Sequence, residues 1–458
     1  MTTSQQTPYA VTTGDLAFLA GLTTVHTDRP TLQAHARDSS RAVPQGLPAA
    51  VVVPASVEEV AETLKWANDH GVPVSVRGAG TGLSGGAVAY RGGIVVSLAA
   101  LTRLDIDAEN LTATVGAGVV TSHLDDAARP YGLMYAPDPV SSEWSTIGGN
   151  IATNAGGPRC LAHGVTADVV MALEVVLADG RIVRTGSRTV KNSTGYNLTG
   201  LFVGSEGTLG IITEAVVRLD PRPAGHPVAF AAAFSDLGDA GRAVAAVLSR
   251  CPRPESLELM DSNTIGLVAQ HFPDEDTPAG AAVIVGEYAD PHAAEYASAL
   301  LAVCRQHDAE TVTGPRAENL LRTRKRVNPA LSASGLTASC DVAVPITRLA
   351  DILGKIESLS QAFGMQVNTF AHAGDGNLHP AVVVPNGDER ALEIAEDLLG
   401  AITQAALAMG GVISGEHGIG SLKLHHLDAQ YDPATRSLQR EIKALLDPHA
   451  ILTPGRAV

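Results

Sequence analysis

At 458 residues, with 45% hydrophobic and 17% charged residues, the chain is long enough for two or three domains with real cores, and disorder is excluded. A formal net charge of −16 with no basic stripe excludes a nucleic-acid partner. No apolar run reaches the roughly 18 residues of a membrane span, and Met1–Ala10 lacks the basic stretch and apolar core of a signal peptide.

In chain order, Ala49–Pro54 reads as a strand and Ser56–Asn68 as a helix. Ser56 is its N-cap, Glu59 follows three residues on, and Val57, Val60, Leu64 and Ala67 recur at helical spacing. Val72–Val76 is the next strand, running into Arg77–Gly86, where five of ten residues are glycine. Ile94–Leu98 and Thr112–Gly118 read as further strands. Gly80–Gly85 matches G-x-G-x-x-G, but a nicotinamide-binding loop must open a helix, and this one runs into another strand. What remains is a nest of backbone N–H groups able to wrap a pyrophosphate without a helix. Pro137–Gly157 and Gly195–Thr213 are two more segments of glycines, hydroxyls and amides. Three backbone-exposing segments in one domain suggest a dinucleotide lying extended. Pro221–Pro227 is a proline-rich junction, and beyond it helices and strands alternate, including Ala281–Gly286. Cys160, Cys251, Cys304 and Cys340 are scattered without a Cys-x-x-Cys pair, against a zinc or iron–sulfur site and in keeping with a reduced, cytoplasmic setting.

The second half carries a metal-ligand pattern. Within Gln366–Val384, Gly374-Asp375-Gly376-Asn377 has the composition of a hairpin loop. A four-residue loop would pair Ala373 with Leu378 and His372 with His379, whose Cβ atoms would lie roughly 5 Å apart. Two imidazoles so held can chelate a divalent ion. Glu416, beside His417 in Gly415–Gly420, would add an oxygen ligand and leave positions open, the arrangement of a catalytic site. Glycines on both sides of that acid–imidazole pair imply close backbone approach to something.

On Arg77–Gly86, Pro137–Pro139, Ile147–Gly157, Phe202–Thr213, His372–His379, Gly415–Gly420 and Asp447–Gly455 the sequence resembles the vanillyl-alcohol oxidase superfamily. Within it, the chain most resembles the flavin-dependent D-2-hydroxyacid dehydrogenases of the D-lactate dehydrogenase and glycolate oxidase type. The resemblance implies an α+β fold: a two-subdomain PCMH-type FAD-binding domain over residues 1–220, with its core at 45–220, and an α+β substrate (cap) domain on an antiparallel sheet over 221–458, whose tail from 415 returns to the flavin domain. It implies FAD contacts from Arg77, Gly78, Ala79, Gly80, Thr81, Gly82, Leu83 and Ser84 around the pyrophosphate. Further contacts would come from Pro137, Asp138, Thr146, Ile147, Gly148, Gly149, Asn150, Thr153, Asn154, Gly156 and Gly157, and from Glu206, Gly207, Gly210, Ile211 and Ile212. Some relatives link flavin through a histidine in the first loop; this loop has none, so noncovalent FAD is expected.

The same resemblance makes His372, His379 and Glu416 ligands of zinc, iron or manganese, His417 the base and Arg324 the partner of the substrate carboxylate. From the sequence alone, Arg322 or Arg326 could take that last role. The implied reaction oxidises a small D-2-hydroxy acid, D-lactate or glycolate, to the 2-keto acid, with hydride passing to flavin N5. Alternatives are a D-2-hydroxyglutarate-type dehydrogenase and a transferase of the alkyl-glycerone-phosphate synthase type. Hydroxyglutarate enzymes tend to carry asparagine and lysine where this chain has Ala381 and Ser339, and relatives often end Ile-Leu-Asn-Pro-Gly-Lys where this chain reads Ile451-Leu-Thr-Pro-Gly-Arg456. The expected partners are the hydroxy acid and an external electron acceptor (a quinone, cytochrome, electron-transfer flavoprotein or dye). A homodimer is allowed, and the setting is cytoplasmic or peripheral to a membrane through that acceptor.

Overall fold

The computed structural model of the protein describes residues 10–275 and 277–457; residues 1–9, on which the signal-peptide reading rests, lie outside the described residues. It is an α+β protein with two compact units. The first is made of Met1–Gly156, Gly164–Arg222 and Glu416–Val458, the second of Gly157–His163 and Pro223–Gly415. Among the described residues no helix is long and apolar enough to cross a membrane.

The first unit holds two main sheets. Ala50–Val53, Ile94–Ser97 and Val74–Arg77 pair in parallel, with Thr24–His26 antiparallel on the edge. The helix Val57–His70 crosses over between two of these strands. Ser56 caps it by accepting from the Glu59 amide, and Gly71 at φ +64 ends it. Its Val60, Leu64 and Ala67 stripe is buried in one core with Val52, Val74 and Val96. The other sheet is a five-stranded antiparallel one, ordered Leu104–Asp107, Thr112–Gly116, Ile211–Arg218, Val170–Val176, Ile182–Gly186. After Arg77 the glycine-rich loop reaches the strand Ile94–Ser97 with no intervening helix, as its sequence requires.

One glycine-rich segment is more regular than its composition suggests. Ile147–Thr153 is a helix, ended by Asn154 at φ +51. Glycine is a poor helix former, but packing overrides propensity: a Cβ on Gly148 would lie 2.5 Å from the Ala117 Cβ, so only glycine lets the helix meet the turn that follows the strand Thr112–Gly116.

The second unit is built on an eight-stranded antiparallel sheet. Its central order is Val228–Phe234, Ala282–Tyr288, Ser256–Asp261, Asn368–His372, Asn377–Val384. Both faces are covered. Phe230, Ala232 and Phe234 join the core formed with the helices Leu237–Arg250 and Leu349–Phe363, while Ala229, Ala231 and Ala233 join the core formed with Ser262–His271, Pro315–Lys325 and Val327–Ser334. A charged side chain on either face must therefore find a partner inside the protein.

The hairpin register differs from the sequence reading. His372 pairs with Asn377 and Phe370 with His379, so the two histidines are not directly opposed. The turn is Ala373–Gly376, with Gly376 at φ +70, and Asn377 already belongs to the returning strand. The slip is two residues, one full side-chain period, so both imidazoles stay on one face as diagonal neighbours.

Candidate active site

The second unit gathers a buried polar cluster on the sheet face that packs against the helix Pro315–Lys325. Alternation along Ser256–Asp261 sends Leu257 and Leu259 to the opposite core and leaves Glu258 facing this one. Glu258 pairs across strands with His372, and Met260 with Phe370. His372 Nδ1 donates to Glu258 Oε1 at 2.8 Å, and Arg324 Nη2 meets Glu258 Oε2 at 2.9 Å. Arg324 also lies over the Phe370 ring, 4.8 Å from its centroid. The His372 and His379 rings meet edge to face with centroids 5.2 Å apart. Ser414 donates to Asp341 Oδ2 at 2.8 Å, and Asp341 Oδ1 lies 3.8 Å from His379 Nδ1.

Burial alone would push the Glu258 carboxyl up, but His372 and Arg324 together outweigh it and hold the group below its ordinary value. Because an ionised carboxylate only accepts, His372 uses Nδ1–H toward it, and neutral His372 carries its lone pair on Nε2, the form a metal takes. The three candidate arginines separate cleanly. Arg326 is exposed and paired with Glu275 at 3.0 Å, Arg322 is exposed against Asn319, and Arg324 is buried. Arg324 Nε has no hydrogen-bond partner, so the guanidinium keeps a buried donor in reserve.

Glu258 escaped the sequence reading. Its signal is an acidic residue in the strand Ser-Leu-Glu-Leu-Met-Asp, where every position is buried. The glycines of the hairpin turn serve packing: a Cβ on Gly374 would lie 2.4 Å from Leu161, and one on Gly376 2.3 Å from the Val344 carbonyl.

In the first unit the three glycine-rich segments converge. A Cβ on Gly78 would lie 2.4 Å from Thr146 Oγ1, joining the first segment to the second. Glu206 N donates to Ala152 O at 2.8 Å, joining the second to the third, and a Cβ on Gly207 would lie 3.3 Å from Val76, beside the first. Several expected contacts are engaged within the protein. Arg77 Nη1 donates to Arg37 O at 2.6 Å, Asn150 Nδ2 to Thr121 Oγ1 at 2.7 Å, and Asn154 Oδ1 accepts from Ala167 N at 2.8 Å. Pro137 is buried and Asp138 half-buried, while Ile211 and Ile212 open a buried strand. Thr146 Oγ1 and Thr453 Oγ1 are buried with no hydrogen-bond partner, and Thr453 sits at φ +40, a strained position for a β-branched residue. Orphaned hydroxyls beside bare glycine backbone fit a polar dinucleotide.

Glu416 and His417 also belong to this unit, with His417 Nε2 3.7 Å from Glu416 Oε1. The glycines around the pair answer to the protein's own groups. A Cβ on Gly418 would lie 3.0 Å from Glu206 Oε1, one on Gly420 2.0 Å from the Ser84 carbonyl, and one on Gly156 2.6 Å from Glu416 Oε2. Glu206, expected to contact flavin, has both carboxylate oxygens occupied by this loop: Ile419 N donates to Oε1 and Gly420 N to Oε2, each at 2.7 Å.

Comparison with known proteins agrees with this architecture. Residues 48–186 match the FAD binding domain family and residues 225–457 the family of FAD linked oxidases, C-terminal domain. The D-lactate dehydrogenase of Archaeoglobus fulgidus is 40% identical, covering 89% of this chain and 91% of its own. The glycolate oxidase subunit GlcD of Bacillus subtilis is 37% identical, covering 90% and 89%. Among solved structures, p-cresol methylhydroxylase with substrate bound superimposes with a TM-score of 0.79 at 19% identity, covering 98% of both chains. The chain belongs to the family of FAD linked oxidases.

With no histidine between Arg77 and Gly86, the purified protein is expected to be yellow and to release its flavin into the supernatant on acid or heat precipitation. Flavin that stays with the pellet would show a covalent link.

Proposed function

We propose that this FAD-linked oxidoreductase oxidises a small D-2-hydroxy acid, D-lactate or glycolate, to the corresponding 2-keto acid. The observation that carries the reading is Glu258, which holds a candidate metal-ligand histidine and a candidate carboxylate-binding arginine on its two oxygens. His372 and His379 would hold a divalent metal with Glu416, and the glycine-rich segments of the first unit would hold FAD. The metal, when bound, acts as a Lewis acid toward the substrate hydroxyl. FAD, when bound, takes up the hydride released from C2.

The chain's own groups do the rest. Arg324, fixed on one side by Glu258, presents its spare Nε–H to the substrate carboxylate, for which a guanidinium fork is better shaped than an ammonium. His417 accepts the hydroxyl proton as general base. The substrate loses that proton and one hydride, and its C–O bond becomes a carbonyl. The two electrons would leave through an external acceptor.

A small monocarboxylate is favoured by the strand pair Ser339 and Ala381. Hydroxyglutarate enzymes tend to carry a cation and an amide at these positions, and this chain has only a short hydroxyl and a methyl there.

The test is anaerobic mixing with a panel of D- and L-2-hydroxy acids while following flavin absorbance. D-lactate or glycolate should bleach the flavin, and L-lactate should not. Bleaching by D-2-hydroxyglutarate alone would move the substrate to a dicarboxylate, and bleaching by none of them would overturn the proposal.

A further inference from the structure

We propose that Glu206 is a positioning residue that presents His417, holding the Glu416–Gly420 loop from one side while Ser84 holds it from the other. The inference rests on His417 being the base of the proposed reaction.

Both Glu206 oxygens accept from consecutive loop amides, Ile419 N and Gly420 N. Ser84 Oγ donates to the carbonyls of His417 and Gly418, at 2.7 and 2.9 Å. Three successive peptide groups, from the His417 carbonyl to the Gly420 amide, are thus tied by two side chains, one acting on carbonyls and the other on N–H groups. Only a carboxylate offers an acceptor on each arm; a glutamine would turn an NH2 toward one of the amides. Gly418 at φ +77 and Gly420 at φ +51 allow the approach, since a Cβ on Gly418 would meet the Glu206 carboxylate and one on Gly420 the Ser84 carbonyl.

Glu206 itself takes φ +52, a conformation that ordinary side chains avoid. Strain of this kind persists where the surroundings over-determine it, and it clusters at functional sites. Burial pushes the carboxyl up, opposed by the Ile419 and Gly420 amides and by the charges of Lys423 and Arg456. Nothing in this network needs Glu206 to touch flavin, the role its sequence neighbourhood implies.

The experiment is a double-mutant cycle on the FAD-loaded protein, read by stopped-flow flavin reduction and by amide exchange of the peptide covering 414–424. Glu206→Gln should keep its FAD, speed exchange at the Ile419 and Gly420 amides by about tenfold or more, and slow flavin reduction by about 10- to 100-fold, the usual loss when an outer-shell partner is removed. In a His417→Asn background the same change should alter the rate by no more than about twofold, because Glu206 acts through His417. Equal slowing in both backgrounds, or unchanged amide exchange, overturns the proposal. If His417→Asn alone keeps the full rate, the base assignment fails, and the exchange data still report separately whether Glu206 holds the loop. Ser84→Ala repeats the cycle from the carbonyl side and replaces Glu206→Gln if that chain does not fold.

Discussion

Replacing His417 with asparagine is expected to slow flavin reduction by roughly 10²–10⁴-fold, the usual worth of a general base. FAD and metal content should stay near those of the unaltered protein. Asparagine keeps much of the side chain's bulk, and the His417 carbonyl remains bound by Ser84, so the loop has no reason to move. Raising the pH should restore part of the lost rate, because hydroxide supplies some of the alkoxide that the imidazole would have generated. The check is single-turnover reduction by the best substrate of the panel across pH, with metal analysis on the same samples. A variant that loses its metal and regains a normal rate once metal is resupplied would make His417 a ligand and not the base.

Glu258→Ala is expected to damage two properties at once. Arg324 would remain buried with its ion partner gone, and removing one member of a buried pair typically costs about 3–5 kcal/mol. His372 would lose the carboxylate that fixes its ring, and losses of that kind typically lower metal affinity about 10- to 100-fold. Glu258→Gln should be milder, since an amide oxygen can still accept from one of the two partners. Denaturant unfolding followed in the second unit, with metal titration of the folded protein, checks both effects. Unchanged stability together with unchanged metal affinity would remove Glu258 from the centre of the site.

Much of this arrangement is legible from the sequence, and the failures have identifiable causes. The Ser56 cap, the β-branched strands and the glycine-rich loop leading into a strand all follow from local rules, and the structure has each of them. Arg324 could not be told from Arg322 and Arg326 by pattern, because only tertiary burial distinguishes them. Glu258 lies 114 residues from its partner His372, and no local rule reaches that far. The hairpin register was missed because a turn with glycine at both its second and fourth positions admits more than one loop. The error did no harm to the site, since a two-residue slip returns every side chain to its own face. The glycines flanking Glu416-His417 were read correctly as a sign of close approach. What approaches them in the structure is the Asn377 side chain at Gly415, the Glu206 carboxylate at Gly418 and the Ser84 carbonyl at Gly420.

The first unit takes segments from both sides of the stretch 223–415. Ile451 and Leu452 sit in its core, Leu452 bridges to Val74, and Lys443 ties Thr208 O to Leu452 O and Asp447. Synthesis runs from the N-terminus and domains fold as units as they emerge, so the long stretch 223–415 is complete while the earlier unit still lacks its last segment. The first unit is therefore completed only after the whole of 223–415 has been made. Any truncation that spares residues 1–222 but removes 416–458 leaves that unit with an open core and without Glu416 and His417.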